Sequence, residues 1–300
     1  MTSFSRDRPM GSPIDTEVEV GAITSARRAR ARRKRIGRGL TYAAAVVLAL
    51  WVLAPIYLIT ITAFSPRSVV YGYPKDLIPT VFSAETMDFF VNAEGVLPAL
   101  GRSVLVAVVT LIFSTLIGAP AGYAISRFVF PGRTAFRLTV LSTRAFPIVI
   151  LSIPLAVTFI EWGIYDSVWS VALMHTALAL PFTILITSSI FIGVPRDLEE
   201  AALTLGCTPA TAFVRVVLPL ALPGLAAASV FTFVLSWNEV FAAVILTLRE
   251  RTLPALVLSQ LNDSPLPFRF AAAWFLMAPS LIFIFVIRKY LLGLWGRVAR

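Results

Sequence analysis

The 300-residue sequence is poor in the side chains that carry chemistry. It has one cysteine, Cys207, so no disulfide can form within the chain. Its one histidine, His175, sits in an apolar stretch with no histidine or cysteine companion, which argues against a zinc site. That leaves His175 as a hydrogen-bonding group between helices or, less simply, as a solute contact. The lysines are Lys34, Lys75 and Lys289, and they follow Arg33, Pro74 and Arg288. A phosphate-cradling loop needs glycine before the lysine and a hydroxyl residue after it, so any ATP hydrolysis must come from another polypeptide. Acidic residues fall between the apolar runs rather than as pairs within them, which disfavours a proton relay. No cluster of nucleophile, base or metal ligands remains on which to build an integral-membrane enzyme.

Charge of any kind is scarce. Charged residues make up 14% of the chain and hydrophobic ones 58%, whereas a soluble domain is about a quarter charged and about half apolar. What the sequence has in abundance is apolar runs of bilayer length. Six emerge: Leu40 to Phe64, Ser103 to Ser126, Phe136 to Ile160, Ser167 to Gly193, Val217 to Leu246 and Phe270 to Leu292. The expectation is an all-α polytopic membrane protein with six transmembrane helices. No internal repeat is visible, which argues against a self-contained secondary transporter.

The net charge of +10 is unevenly spread. "ARRARARRKRIGRG", Ala26 to Gly39, places its arginines just before the first apolar run. Beside a span such a block attracts anionic lipid and holds its end in the cytoplasm, and nothing accompanies it that suits nucleic acid. The expected organisation is a disordered basic tail at 1–39, a first span with an extracytoplasmic segment at 40–97, a transmembrane domain at 98–295 and a short cytoplasmic end at 296–300. With the N-terminus inside, Arg127, Arg133, Arg137, Arg196, Arg215 and Arg288 also fall on the cytoplasmic side. An even number of spans then brings the C-terminus to that side, in the plasma (inner) membrane. The segment from Ser65 to Leu97, with its prolines, reads as a folded cap or short helix outside the membrane.

Between the fourth and fifth runs lies a polar stretch, "RDLEEAALTLGCTPATAFVRVVLP", Arg196 to Pro219. Asp197 reads as a helix N-cap with Glu200 completing a capping box. Leu198, Ala201, Ala202 and Leu205 recur at helical spacing and make one small apolar face. Gly206 stands where a left-handed residue closes a helix. Thr208 then caps a second helix, with Pro209 in its first turn, that runs to about Leu218 before Pro219. Surface helices on lipid carry basic residues and bulky anchors; an acidic helix with an alanine face suits a protein partner better.

Glu200-Ala201-Ala202, three further residues, Gly206 and then Leu218-Pro219 with Pro223 resemble the cytoplasmic EAA loop of permease subunits in ATP-binding-cassette importers. The resemblance covers roughly Pro98 to the C-terminus. "SWNEVFAAVILT", Ser236 to Thr247, is similar to the fifth span of the carbohydrate branch, in particular the maltose-type second permease; Phe146-Pro147 fits that branch more loosely, and the terminal "GLWGR" departs from the family's glycine-rich ending. The resemblance implies a coupling helix at Glu199, Glu200, Ala201, Ala202 and Gly206, seated in an ATPase subunit. It also implies a second permease subunit, two ATPase subunits and an extracytoplasmic solute-binding protein. ATP and magnesium would be used by the ATPases, with no cofactor on this chain. The implied function is import of a sugar, oligosaccharide or polyol by alternating access. A permease for a non-sugar solute and a non-transporting scaffold are the competing readings.

Polar groups inside a span face a bundle interior or an aqueous path. Trp237, Asn238 and Glu239 form such a group. One reading makes them a sugar-contacting set, with an indole to stack on and acceptors for hydroxyls. The other places Trp237 in the interface belt and has Glu239 brace a neighbouring helix. Arg144 reads as a bracing or snorkelling residue. Gln260, Asn262 and Asp263, at the polar tip of the Thr247 to Phe270 segment, are the expected binding-protein contact.

Overall fold

A computed structural model describes the backbone of residues 13–74, 77–78 and 81–298, and side-chain surroundings within residues 33–288 of that range. Among the described residues every regular element is helical. Among the described residues five helices are long and apolar enough to cross a membrane, and a sharply bent pair, taken as one span, gives a sixth.

The first helix, α1 (Pro13–Ala63), is continuous through the basic stretch into the first apolar run. Residues 13–39, expected as a disordered tail, are thus helical; alanine and arginine are both strong helix formers, and they outnumber Gly37 and Gly39 in the charge block. Residues 1–12 of that expected tail lie outside the described residues. The chain up to Leu58 forms one compact unit and the remainder, from Ile59, a second.

In the second unit, α2 (Arg67–Val70) and α3 (Glu85–Val91) are the short helices expected between the first two spans. They precede α4 (Val96–Arg127), which starts at Gly95 in a left-handed conformation. Phe90, Val96 and Ala99 are buried together with Leu253, Phe268 and Ala271. Ring contacts between Phe90 and both Phe268 (4.9 Å) and Phe275 (5.1 Å) tie this corner together.

The third run departs from expectation. It forms α5 (Arg133–Ser142), a tight turn at Thr143–Ala145, and α6 (Ile148–Glu161), bent by 91° rather than continuous. The cause is local: Phe146 precedes Pro147, whose ring disfavours a helical residue before it, and Phe146 takes an extended ψ of 123°.

The next helix, α7 (Val168–Ile192), starts at Ser167, whose hydroxyl accepts from the Ser170 amide. It packs against α4 at close range because α4 presents Gly118 and Gly122 four residues apart. A Cβ at Gly122 would lie 2.1 Å from Thr187 Oγ1 and 2.8 Å from the Ser188 amide nitrogen. Thr187 Oγ1 donates to the Gly118 carbonyl at 3.0 Å. Small residues that let backbones approach, with hydroxyls bridging them, are the common solution for helix pairs in lipid.

Beyond α7 come α8 (Arg196–Thr204), α9 (Pro209–Ala212), a wide π turn at Phe213–Val217 and α10 (Leu218–Asn238). The second helix of the polar stretch was expected to end before Pro219. Instead α9, the π turn and α10 run on as one span, Pro209–Asn238. Pro219 follows directly on the π turn, whose wider spacing already interrupts the regular hydrogen-bond ladder, so its missing amide is accommodated there. The fifth run also divides at its far end, because the chain leaves helix at Glu239 (ψ 126°) before α11 (Phe241–Leu246). Then come α12 (Leu253–Gln260) and α13 (Leu266–Val298).

Candidate functional site

Two places gather the polar residues singled out above. The first is α8. Its N-cap position is Pro195, and no side chain caps it, so the expected Asp197–Glu200 capping box is not formed. The helix starts two residues earlier than that box requires, which puts Asp197 and Glu199 in its first turn, where the helix dipole favours acids. Its other end is as expected. Gly206 has φ +90°, its amide donates to the Leu203 carbonyl at 3.0 Å, and the Cys207 amide donates to Ala202 at 3.0 Å. This is a Schellman closure. Thr208 then accepts from the Thr211 amide at 3.2 Å and caps the following helix.

The two glutamates of α8 face different surroundings. Glu200 is exposed, as are Ala201, Leu198, Leu203 and Leu205. Glu199 is mostly buried: its Oε2 lies 2.8 Å from Arg127 Nε on α4, and the Tyr123 hydroxyl donates to its Oε1. Arg127 also donates to the Val194 carbonyl at 2.9 Å. Ala202 is the one residue of α8 that is buried. The Tyr123 and Arg127 partners were missed in the sequence. Their signal was an i, i+4 spacing at the end of an apolar run, which places both on one helix face.

The second place is a cavity of about 840 Å³ between the bent span, α7 and α10. Its lining includes Arg144, Phe146, Met174, Leu178, Pro181, Asn238, Glu239 and Phe241. Trp237 does not line it. The indole is buried between α10 and α13, donates to the Leu276 carbonyl at 2.8 Å and stacks with Phe233 at 5.8 Å. Trp237 therefore does not offer a stacking face to this cavity.

Glu239 has structural partners. Its carboxylate accepts from the Ala242 amide at 3.1 Å and the Ala243 amide at 3.2 Å, which caps α11. Its Oε2 lies 3.1 Å from His175 Nε2, and His175 Nδ1 lies 2.9 Å from Ser236 Oγ. His175 is thus the interhelical group expected of it, joining α7 to α10. Arg144 donates to the Leu178 carbonyl at 2.9 Å and lies 3.5 Å over the Phe182 ring, so it braces α7 while lining the cavity. Asn238 is exposed and donates to the Val234 carbonyl at 2.9 Å.

Residues 114–292 match the family described as binding-protein-dependent transport system inner membrane component. The chain belongs to that family. It is 29% identical to the diacetylchitobiose uptake system permease protein DasC of Streptomyces coelicolor, a match covering 88% of this chain and 97% of that protein. It is 29% identical to the trehalose transport system permease protein SugB of Mycobacterium tuberculosis, over 80% of this chain and 89% of that one. Its fold is similar to a chain in the crystal structure of a bacterial transporter that imports the acidic polysaccharide alginate, with a TM-score of 0.64 and 19% identity over 94% of this chain and 99% of that one. The chain is a multi-pass membrane permease subunit.

The permease holds the remaining expected contact residues at the far end from α8. Asn262 and Asp263 are exposed in the turn after α12, and Gln260 is the last residue of that helix. Arg269 donates to the carbonyls of Ser264 (3.0 Å) and Asn262 (3.2 Å), which fixes the turn. Far from being a loose loop, α12 buries Leu253, Ala255 and Val257, and Ser103 on α4 accepts from the Leu253 amide at 2.7 Å. The strand of chain before it is pinned by Asp166, whose Oδ1 accepts from the amides of Leu248 (2.8 Å), Arg249 (3.0 Å) and Glu250 (3.0 Å). A single aspartate in a short connection gave no sequence signal for that role.

Proposed function

We propose that this permease belongs to an ATP-driven, binding-protein-dependent importer of a sugar, oligosaccharide or polyol. The observation that carries the reading is α8. It is a short helix closed by Gly206 that presents Glu200, Ala201 and three leucines outward, a surface suited to a protein partner. That partner is an ATPase subunit, and the complex comprises two of them, a second permease subunit and an extracytoplasmic solute-binding protein. ATP and magnesium act on the ATPases, and this chain binds no cofactor of its own. Both termini and α8 lie on the cytoplasmic side, where the basic residues collect. The turn bearing Gln260, Asn262 and Asp263 faces the binding protein, and the cavity bordered by Asn238 and Glu239 is this subunit's share of the solute path.

Saccharide as solute is supported by the diacetylchitobiose and trehalose permeases among the relatives. Aromatic and aliphatic walls with a few polar groups suit a sugar, whose ring faces are apolar and whose rim is polar. The mechanism is alternating access: closure of the ATPases displaces α8, and the helices around the cavity rock to open it outward.

The test is uptake of labelled disaccharides, polyols, amino acids and oxyanions into proteoliposomes holding the complex captured through a tag on this chain. ATP-dependent uptake of a saccharide or polyol alone is expected. Uptake of another solute class would overturn the substrate assignment, and capture without any ATPase subunit would overturn the importer reading.

A further inference from the structure

We propose that Glu199 is not an ATPase contact but the internal joint that fastens α8 to α4, so that displacement of α8 is delivered to the α4–α7 pair. The inference rests on the reading of this chain as an ATP-driven permease and reassigns one residue of its coupling element.

Neighbouring residues on a helix point about 100° apart, so Glu199 and Glu200 lie on different faces of α8. Glu200 is exposed, whereas the side chains of Glu199 and Arg127 are 12% and 6% exposed and meet at 2.8 Å. Tyr123 completes the carboxylate's surroundings. Its ring is packed against Phe213 of the π turn at 4.5 Å and Phe191 of α7 at 5.7 Å, so two further elements aim the hydroxyl. Arg127 in turn holds the Val194 carbonyl just before α8, and Arg196 reaches the Ser126 carbonyl at 3.4 Å.

Little else holds α8 in place. With Ala202 its one buried side chain, the helix has little apolar grip on the bundle. A partly buried ion pair that also accepts a hydroxyl resists separation, because parting the charges would leave each buried and uncompensated. On the receiving side, α4 cannot slide past α7. Gly118 and Gly122 bring the backbones into contact, and Thr187 bridges them by donating to the Gly118 carbonyl. The force path is therefore α8, Glu199, Arg127 with Tyr123, then α4 and α7 together. Glu199 is a positioning residue, and it touches neither nucleotide nor solute.

The test compares wild type with Glu199→Gln, Glu199→Asp and Tyr123→Phe in the captured complex, reconstituted in proteoliposomes. Three quantities are read: ATPase subunit bound per permease, ATP hydrolysed, and solute imported per ATP. Glu199→Gln is expected to keep the ATPase bound while import per ATP falls about tenfold, within the range of ordinary coupling energies. Glu199→Asp, which keeps the charge, should fall between it and wild type. A purely structural role would lower the amount of complex without moving the ratio. A wild-type ratio in Glu199→Gln overturns the joint, and so does loss of the ATPase from the complex, which would make Glu199 a docking residue after all. If Glu199→Gln yields no folded permease to capture, Tyr123→Phe decides: a lowered ratio supports the joint and a wild-type ratio overturns it. Absence of ATP-driven uptake in the wild-type complex would remove the functional reading and the joint together, whereas the other failures, with wild type active, remove the joint alone.

Discussion

Replacing Gly122 by alanine adds one methyl group to α4 at its tightest contact. That methyl would sit 2.1 Å from Thr187 Oγ1, 2.8 Å from the Ser188 amide nitrogen and 2.9 Å from the Ile184 carbonyl oxygen. The first neighbour is a side chain and can rotate. The other two are backbone of α7, so the helices themselves must part. Overpacking of this kind costs about 1–3 kcal/mol, and two unyielding backbone contacts put Gly122→Ala toward the upper end. Alanine recovers about 0.8–1.0 kcal/mol of helix propensity, which leaves a net loss of about 2 kcal/mol. Gly101, in the same helix, has nothing within 4 Å of its would-be Cβ, so Gly101→Ala should gain the propensity term without the clash.

Thermal unfolding of the purified chain in detergent should therefore rank Gly101→Ala at or above wild type and Gly122→Ala clearly below. Second-site changes sharpen the comparison. Adding Thr187→Ala to Gly122→Ala removes only the 2.1 Å contact and forfeits the hydroxyl bridge to Gly118, so it should not rescue. At Gly118 the closest neighbour is Thr183 Cγ2 at 2.6 Å, with Thr183 Cβ at 3.1 Å and the Ile184 amide at 3.6 Å. Thr183→Ser deletes that methyl, keeps the hydroxyl that donates to Ala179, and should restore most of what Gly118→Ala loses. A Gly122→Ala midpoint at or above wild type would refute the claim that the α4–α7 contact is backbone-limited.

Asp166 lies outside the spans. Burial pushes its carboxyl up, but the amides of Glu250, Leu248 and Arg249 and the Arg249 charge outweigh that and hold it below the usual carboxylate range. A carboxylate depressed in the fold stabilises above its unfolded pKa and loses that stabilisation as pH falls through the folded value. The thermal advantage of wild type over Asp166→Asn should thus be full at neutral pH and shrink below about pH 4. Hydrogen exchange at residues 248–250 should quicken in Asp166→Ala; unchanged protection would refute the staple. Trp237→Ala should cost about 3–5 kcal/mol in stability and leave the KM for uptake unchanged in whatever complex survives. Asn238→Ala should do the reverse, raising KM with the thermal midpoint kept; an unaltered KM would remove Asn238 from the solute path.

Composition and run length were enough for the spans, because a bilayer imposes one length and one solvent on every crossing helix. Legible too were features governed by a single residue's backbone chemistry: Gly206 closes α8 through its positive φ, and Thr208 caps the next helix through its hydroxyl. The bend at Phe146–Pro147 was equally local. It escaped notice because hydropathy continues straight through it, and a window average does not register a proline. The Asp197–Glu200 box went wrong because Pro195, already fixed near helical φ, competes for the cap position. What could not be read were pairings made across the bundle. Glu199 with Arg127 spans 72 positions in sequence, and Asp166 with the amides of residues 248–250 spans more than 80. Trp237 shows the limit from the other side: one residue of helical phase separates an indole in the α10–α13 packing from an amide at the cavity edge.

The same cross-bundle pairings decide which parts of the permease can move together. Near its end at Arg127, α4 is joined to α8 through Glu199. Near its start, Arg102 pairs with Glu250 at 2.5 Å and Ser103 accepts from the Leu253 amide, which fixes the approach to α12. Asp166, at the corner between α6 and α7, grips the same approach by three amides. Both polar ends are thus anchored on α4 and α7, and α4 at 32 residues spans roughly 48 Å at 1.5 Å per residue. By contrast, α5 buries none of its residues, and the bent span it belongs to forms one wall of the cavity. On the proposed reading, a displacement applied at α8 would travel along a body locked by glycine contacts, while the wall of the cavity belongs to the least buried of the crossing elements in this second unit. The tightly joined body runs along the line between the two polar ends, and the sparsely packed wall lies beside the cavity.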